Sequence, residues 1–380
     1  GILKEYKDGG YIMKVVIAID SLKGSMTSME AGKAIKEGIL TVDPSTEVIV
    51  KPLADGGEGT TEALAEGLGG EMIHVNVHGP LENPVDAAYG MISESKTAIM
   101  EMAAAAGIII VGKDLRPLDA TTYGVGEMIK DAIAKGCRNF IIGIGGSATN
   151  DCGIGMLTAL GWEFLDKDGN PVGIGAGALK DVASVKCDKV VPELTECNFK
   201  IACDVTNPLC GTTGATYIYG PQKGVTVEMR DALDADLAHF AEVTKAALGT
   251  DFAESEGAGA AGGLGFAFLS YLKADLQPGI DLVLDAVEME KAMEGADLVI
   301  TGEGRLDEQT AMGKGPVGIA KLGKKHGAKT VALAGALKDG CEACNDAGID
   351  AYFPIIRRIM TLDEAMDGAI AKVNMTKTAE

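Results

Sequence analysis

A recurring unit restricts the fold of this 380-residue chain more than any other feature: short β-branched runs lead straight into loops of Gly, Asp, Asn and Ser, and most alternate with helical stretches. Runs of strand type lie at Val15–Asp20, Glu47–Leu53, Ala98–Met102, Phe140–Gly145, Lys200–Val205, Leu298–Thr301, Thr330–Ala334 and Ala351–Ile356. After the first run, Thr27-Ser-Met-Glu30 has the spacing of a capping box, and Ala31, Ala34, Ile35, Gly38 and Ile39 then fall on one helical face. A chain punctuated in this way predicts an α/β fold.

Length alone points to more than one core. Met13–Leu68 and Asp297–Ile356 both read as strand, loop, helix, strand, whereas the middle is longer and less regular. HGPLENP (His78–Pro84) and LQPGID (Leu276–Asp281) carry linker chemistry. The expectation is therefore a split first domain, residues 13–80 and 285–380, with a second α/β domain, 81–284, inserted. Residues 1–12 read as an extension without the apolar core of a signal peptide.

A formal net charge of −21 argues against nucleic acid or an anionic membrane as partner, because the field of the whole protein repels both. No apolar run reaches the length of a membrane span. The eight cysteines lack framework spacing, which predicts free thiols and a cytoplasmic setting. Cys341 and Cys344 form a lone CxxC in a polar stretch, expected on a surface helix. An anionic substrate would need a divalent metal, a few placed cations and backbone N–H groups.

Five strand candidates run into loops of the kind that bind ligands at the carboxyl ends of an open α/β sheet: DSLKGS (Asp20–Ser25), ADGGEGT (Ala54–Thr60), GIGGSATNDCGIG (Gly143–Gly155), CDVTNPLCG (Cys203–Gly211) and TGEGRLDEQTAMGK (Thr301–Lys314). Any one of them serves equally well as a turn or a helix cap. Together they supply the parts of phosphoryl transfer: cations in Lys23, Arg305 and Lys314, hydroxyls in Ser25 and Ser147, and carboxylates in Asp20, Asp55, Glu58, Asp151, Asp204, Glu303 and Asp307. Gly56, Gly57, Asn150, Asn207 and Gln309 complete the candidate substrate- and phosphate-binding set.

Other patterns carry less. Gly107–Lys113 has P-loop spacing, but its apolar interior and the following Asp114 assign it to the core. Gly318–Lys324 repeats that spacing inside a helical pattern, and GxGxxG at Gly257–Gly262 follows an acidic stretch instead of a strand, which also speaks against a dinucleotide oxidoreductase. His74 and His78 would share a strand face without a third metal ligand.

Taken in order, these loops resemble the motifs of the bacterial type I glycerate kinase family: DSLKGSMTS, PLADGGEGT, IGIGGSATND, ACDVTNPLCG, YGPQKG, GAGAAGGLG and VITGEGRLDEQT, from about Val15 to Lys314. The departures are small: Ile19 where the family often has proline, Leu22 in place of an aromatic, and Cys152 where glycine is usual. The resemblance implies a split flavodoxin-like (Rossmann-like) parallel-sheet domain carrying both termini, an inserted α/β domain and an active site between them. It also implies transfer of the γ-phosphoryl group of ATP to D-glycerate, commonly at the 2-hydroxyl.

Such a kinase must hold a carboxylate, orient a hydroxyl and neutralise a triphosphate. Lys23 and Ser25 precede a helix N-terminus and suit a phosphate or carboxylate, and Arg305 between glycines can grip either with two parallel bonds. Asp204, emerging at a strand end, is the candidate general base, with Asp151 and Glu303 as runners-up. Asp55 and Glu58 are candidate magnesium ligands. The residues leave open the 3-hydroxyl, another small hydroxy acid, or a sensor that binds nucleotide or carboxylate without turnover.

Overall fold

The computed structural model describes residues 12–313 and 315–380, so Lys314 and most of the N-terminal extension lie outside the described residues. The strands are β1 (Lys14–Ile19), β2 (Glu47–Pro52), β3 (Glu71–His78), β4 (Pro84–Ile92), β5 (Thr97–Glu101), β6 (Asn139–Gly143), β7 (Glu163–Leu165), β8 (Ser184–Lys186), β9 (Asn198–Ala202), β10 (Asp275–Gln277), β11 (Leu298–Leu306), β12 (Lys329–Leu337) and β13 (Ala351–Pro354). The chain falls into two compact units. One holds the described residues up to Asp55 with Glu66–Leu68 and Val283–Glu380; the other holds Gly56–Ala65 and Gly69–Leu282.

The first unit is built on a parallel sheet of order β13-β12-β11-β1-β2. Parallel strands are covered on both faces, so their sequences are apolar without alternation, and Val15 to Ile19 are all fully buried. Helix Ser28–Val42 connects β1 to β2; Thr27 and Glu30 close its capping box, and Ala31, Ala34, Ile35 and Gly38 face the core as the spacing predicts. Helix Gly368–Ala379 packs against it, and a Cβ on Gly38 would overlap the carbonyl oxygen of Thr376. From β1 the chain passes to β2 on one side, and later strands add on the other, so the winding reverses between β1 and β11. In open α/β sheets ligands bind beyond the carboxyl ends of the strands at such a reversal.

The second unit has a mixed sheet of order β10-β9-β6-β5-β4-β3: β10, β9, β6 and β5 run parallel, and β4 and β3 add antiparallel. Its core is aromatic in places, with Phe140 stacked on Phe199 at 4.7 Å and Trp162 edge-on to Tyr271 at 5.5 Å.

The α/β class and the parallel sheet agree with the expectation, and all eight strand candidates are strands to within a few residues. Three details differ. β11 does not end at Thr301 but runs to Leu306, because Arg305 and Leu306 pair with Ala336 and Leu337 and draw GEGRL into the sheet. The hairpin β3–β4 belongs to the second sheet, so the chain has left the first sheet by Glu71. The apolar run after Gly107 is not core: Ile109 is 84% exposed, on a four-residue helix, Ile108–Val111, that buries none of its side chains. His74 and His78 share the outer face of β3, each paired with a carboxylate, Asp86 at 3.0 Å and Glu127 at 2.9 Å.

Candidate active site

A cavity of about 520 Å³ opens in the first unit where the winding reverses. Its polar end is lined by Asp20, Ser21, Lys23 and Ser25 after β1, by Asp55 after β2, and by Glu303, Gly304, Arg305 and Asp307 at the end of β11. Six of the sequence candidates from TGEGRLD and DSLKGS therefore meet in one place, Asp20, Lys23, Ser25, Glu303, Arg305 and Asp307, with Asp55 of ADGGEGT beside them.

Local geometry explains how each is held. The Asp20 N–H donates to the Gly302 carbonyl at 2.9 Å, tying the end of β1 to β11. Gly302 has φ +151°, and a Cβ there would overlap the Leu333 carbonyl oxygen of β12, so only glycine fits. The turn after β1 closes through Leu22 and Met26, whose backbones exchange hydrogen bonds of 3.0 Å around Gly24 at φ +77°. Asp307 caps helix Glu308–Ala311, its carboxylate accepting from the Thr310 N–H, and Arg305 Nε lies 3.3 Å from its Oδ2. The Thr310 hydroxyl donates to Glu303 Oε1 at 2.5 Å. Ser25 Oγ is enclosed without a hydrogen-bond partner among the described residues.

The carboxylates repel one another. Burial, then the charges of Asp55 and Glu303, push the Asp20 carboxyl up to about 6, against the opposing Ser21 N–H at 2.6 Å and the Lys23 charge. Among the described residues, two cations, Lys23 and Arg305, face four acids there, an arrangement that calls for added positive charge when an anion binds.

Apart from Gln309, which is in the first unit, the remaining described candidates lie in the second unit. Asp204 stands just past β9, exposed, and its Oδ1 accepts from the Gly279 N–H at 2.9 Å, capping helix Gly279–Ala286. Asp151 is fully buried and accepts from the Thr122 N–H and hydroxyl and from the N–H groups of Gly153 and Gly155. Burial pushes its carboxyl up while those bonds pull it down. Asn207 spends its amide on the Thr213 carbonyl and the Tyr219 hydroxyl. Asn150 is buried against Thr216 Oγ1 with its own oxygen unpartnered. Gly56 sits at φ +90°, and Gly57 accepts the Thr60 N–H in the turn before helix Thr60–Gly67. Glu58 is exposed and does not line the first-unit cavity, nor does Gln309.

Two features escaped the sequence reading. Lys223, in YGPQKG, is 2% exposed and donates to Ser147 Oγ at 2.8 Å and the Thr149 carbonyl at 2.6 Å, so it pins the GGSATND loop from beneath. Burial pushes its amine down to about 7, with the Asp151 charge opposing. The same loop packs on Ala261, Gly262 and Gly263, all left-handed, where a Cβ on Gly262 would overlap the Thr149 carbonyl oxygen. A lone lysine set among Gly and Pro was the available signal. The CxxC is the second: Cys341 and Cys344 are buried instead of lying on a surface helix, and Cys344 Sγ sits 3.8 Å from the Asp307 carbonyl oxygen.

The model of the glycerate kinase family matches residues 15–380, which includes every loop described above. The chain belongs to the glycerate kinase family. It is 46% identical over 365 residues to a glycerate kinase of Bacillus subtilis (strain 168), covering 96% of both chains. To a glycerate 2-kinase of Escherichia coli (strain K12) it is 45% identical, with 94% of each chain covered. A solved structure from Salmonella typhimurium LT2 described as a glycerate kinase 2 superposes with a TM-score of 0.89 at 42% identity, covering 97% of this chain and 96% of that one. As a member of the glycerate kinase family it is a phosphotransferase with an alcohol acceptor. Among the described residues no helix is long and apolar enough to cross a membrane.

Proposed function

We propose that the protein transfers the γ-phosphoryl group of ATP to the 2-hydroxyl of D-glycerate, giving 2-phosphoglycerate in the cytoplasm. The observation that carries this reading is the meeting of Lys23, Arg305, Asp20, Glu303 and Asp307 in one cavity at the sheet's reversal point. The relative named glycerate 2-kinase supports the 2-position, and eight free cysteines suit a reducing compartment.

Arg305, positioned by Asp307, grips a carboxylate or a transferring phosphate with its planar fork, and Lys23 adds a compact point charge. Ser25 Oγ supplies a hydroxyl to a phosphate oxygen. Asp204 orients the acceptor hydroxyl and takes its proton as the new bond forms.

Magnesium fits this set. Its donors are hard oxygens, and a bound cation would offset both the burial that chiefly raises Asp20 and the smaller repulsion from Asp55 and Glu303. Among the described residues no three His, Cys, Asp or Glu side chains are grouped to hold a metal alone, so Asp55 and Asp20 would share the ion with phosphate oxygens and water. When bound it supplies charge neutralisation for the triphosphate.

A coupled assay of ADP release with and without D-glycerate tests the reaction, and direct conversion of the product by enolase tests the position. ADP release that ignores D-glycerate would defeat the first reading; a product that enolase accepts only after a mutase step would defeat the second.

A further inference from the structure

The cavity is larger than a three-carbon acid requires, and its lining is not uniform. Opposite the charged end, Ile355, Ile356, Leu362, Ala365, Met366 and Asn374 form a second wall. Leu362, Ala365 and Met366 are spaced i, i+3 and i+4 on the short helix Leu362–Met366, so they share a face. Thr361 fixes that helix: its side chain accepts the Glu364 N–H, and Glu364 answers in a capping box. The protein leaves this face largely uncovered, with Leu362 75% and Met366 41% exposed.

The two ends are contiguous. A Cβ on Gly24, inside the DSLKGS turn, would stand 3.1 Å from the Met366 methyl, so the apolar wall begins where the candidate phosphate loop stops. Asn374, on helix Gly368–Ala379, is the polar exception, and among the described residues its side-chain amide makes no hydrogen bond within the protein. An apolar slot with one amide at its rim, continuous with a cationic end, has the form of a nucleotide site: a flat base between aliphatic side chains, its edge read by an amide, its phosphates at the charges.

We propose that this wall seats the purine base of the nucleoside triphosphate, with Leu362, Met366 and Ile356 against its faces and Asn374 at its edge. The proposal rests on the phosphoryl-transfer reading above for its choice of occupant. Lys23 and Arg305 then meet the phosphates.

The test is equilibrium binding of ADP to the full chain by calorimetry, alongside the kinase assay. Leu362→Asp and the uncharged Leu362→Ser should each weaken ADP at least tenfold and raise the KM for ATP in step, with the KM for D-glycerate and the thermal midpoint unchanged. Asn374→Ala should erode a preference for ADP over GDP. Ile109→Asp, an exposed apolar position in the second unit, should change none of these. Wild-type ADP affinity in both Leu362 variants overturns the seat, as does a KM for D-glycerate that rises while that for ATP does not; an ADP-to-GDP ratio untouched by Asn374→Ala overturns the edge contact. A wild-type protein that binds ADP in a Leu362-dependent way yet phosphorylates no D-glycerate would leave the seat standing and defeat the proposed acceptor instead.

Discussion

Replacing Lys223 with Met should remove a rise of stability with pH from one unit. The lysine is 2% exposed, and burial pushes its amine down to about 7 from an unfolded value of 10.5. Between those values the unfolded chain holds a proton that the folded one lacks, so stability rises with pH there. The stability contributed is fully present above 10.5 and is lost as pH falls through 7. Each tenfold fall in proton activity across that window is worth at most about 1.4 kcal/mol, and because the folded amine is still half protonated at pH 7 the wild type should gain roughly 2 kcal/mol relative to Lys223→Met between pH 7 and pH 9. Taking the difference cancels the buried thiols and phenols, which titrate upward in both proteins. At high pH the neutral amine keeps its bonds to Ser147 and the Thr149 carbonyl, which Met cannot make, so wild type should be the more stable there. Below pH 7 the buried charge is costly and the order should narrow or invert. The assay is built in: the chain has a single tryptophan, Trp162, buried in the same unit, so urea unfolding followed by its fluorescence reports that unit. A wild-type-minus-variant difference constant to within about 0.5 kcal/mol across that range, near the error of the extrapolation, would refute a neutral buried lysine.

Arg305→Lys keeps the charge but loses the fork, and kcat/KM should fall roughly tenfold to a thousandfold; unchanged kinetics would remove Arg305 from the site. Asp204→Asn can still cap the Gly279 N–H, so it should fold normally, bind MgATP and lose about a hundredfold to ten-thousandfold in turnover, whereas near-normal turnover would end its assignment as base. Activity should vanish in EDTA and return with Mg2+, since a chain of net charge −21 faces ATP with four acids in the cavity; full turnover on metal-free ATP would contradict this. Gly302→Ala drives a methyl into the Leu333 carbonyl between β11 and β12 and should cost about 3 kcal/mol or more, seen as a lowered thermal midpoint of the first unit; an unchanged midpoint would mean the strands can part freely.

The parallel strands were legible because a strand covered on both faces leaves a run of β-branched residues that passes directly into a polar glycine-bearing loop, as in Val15–Ile19. The hairpin β3–β4 was not, since EMIHVNVH mixes exposed and half-buried positions and lacks such a run. The candidate site was legible at its charged end, where glycine and carboxylates follow strands. Its apolar end was hidden, because Leu362, Ala365 and Met366 read like any amphipathic turn until the fold leaves their face largely uncovered. Sequence also could not separate Asp20, which faces the cavity, from Asp151, whose carboxylate is consumed in holding its own loop: both are aspartates in a polar loop that follows a strand. Lys223 was missed because lysine is so rarely buried.

In the first sheet, β1 is hydrogen-bonded to β2 on one side and to β11 on the other, so neighbours in the ladder are separated by most of the chain. Assembling that sheet from a disordered intervening segment would carry a heavy loop-closure entropy. The second unit removes much of it, because a Cβ on Gly56 would stand only 2.6 Å from Gly279 Cα: the chain leaves that unit beside the point at which it came in. Once folded, the second unit acts on the first as a tight turn, a saving of roughly 3 kcal/mol over a flexible loop of the same length. The order of events during synthesis follows. β1 and β2 emerge first and can pair with each other, the middle of the chain can close on itself, and the sheet is completed only when β11, β12 and β13 arrive at an already positioned edge.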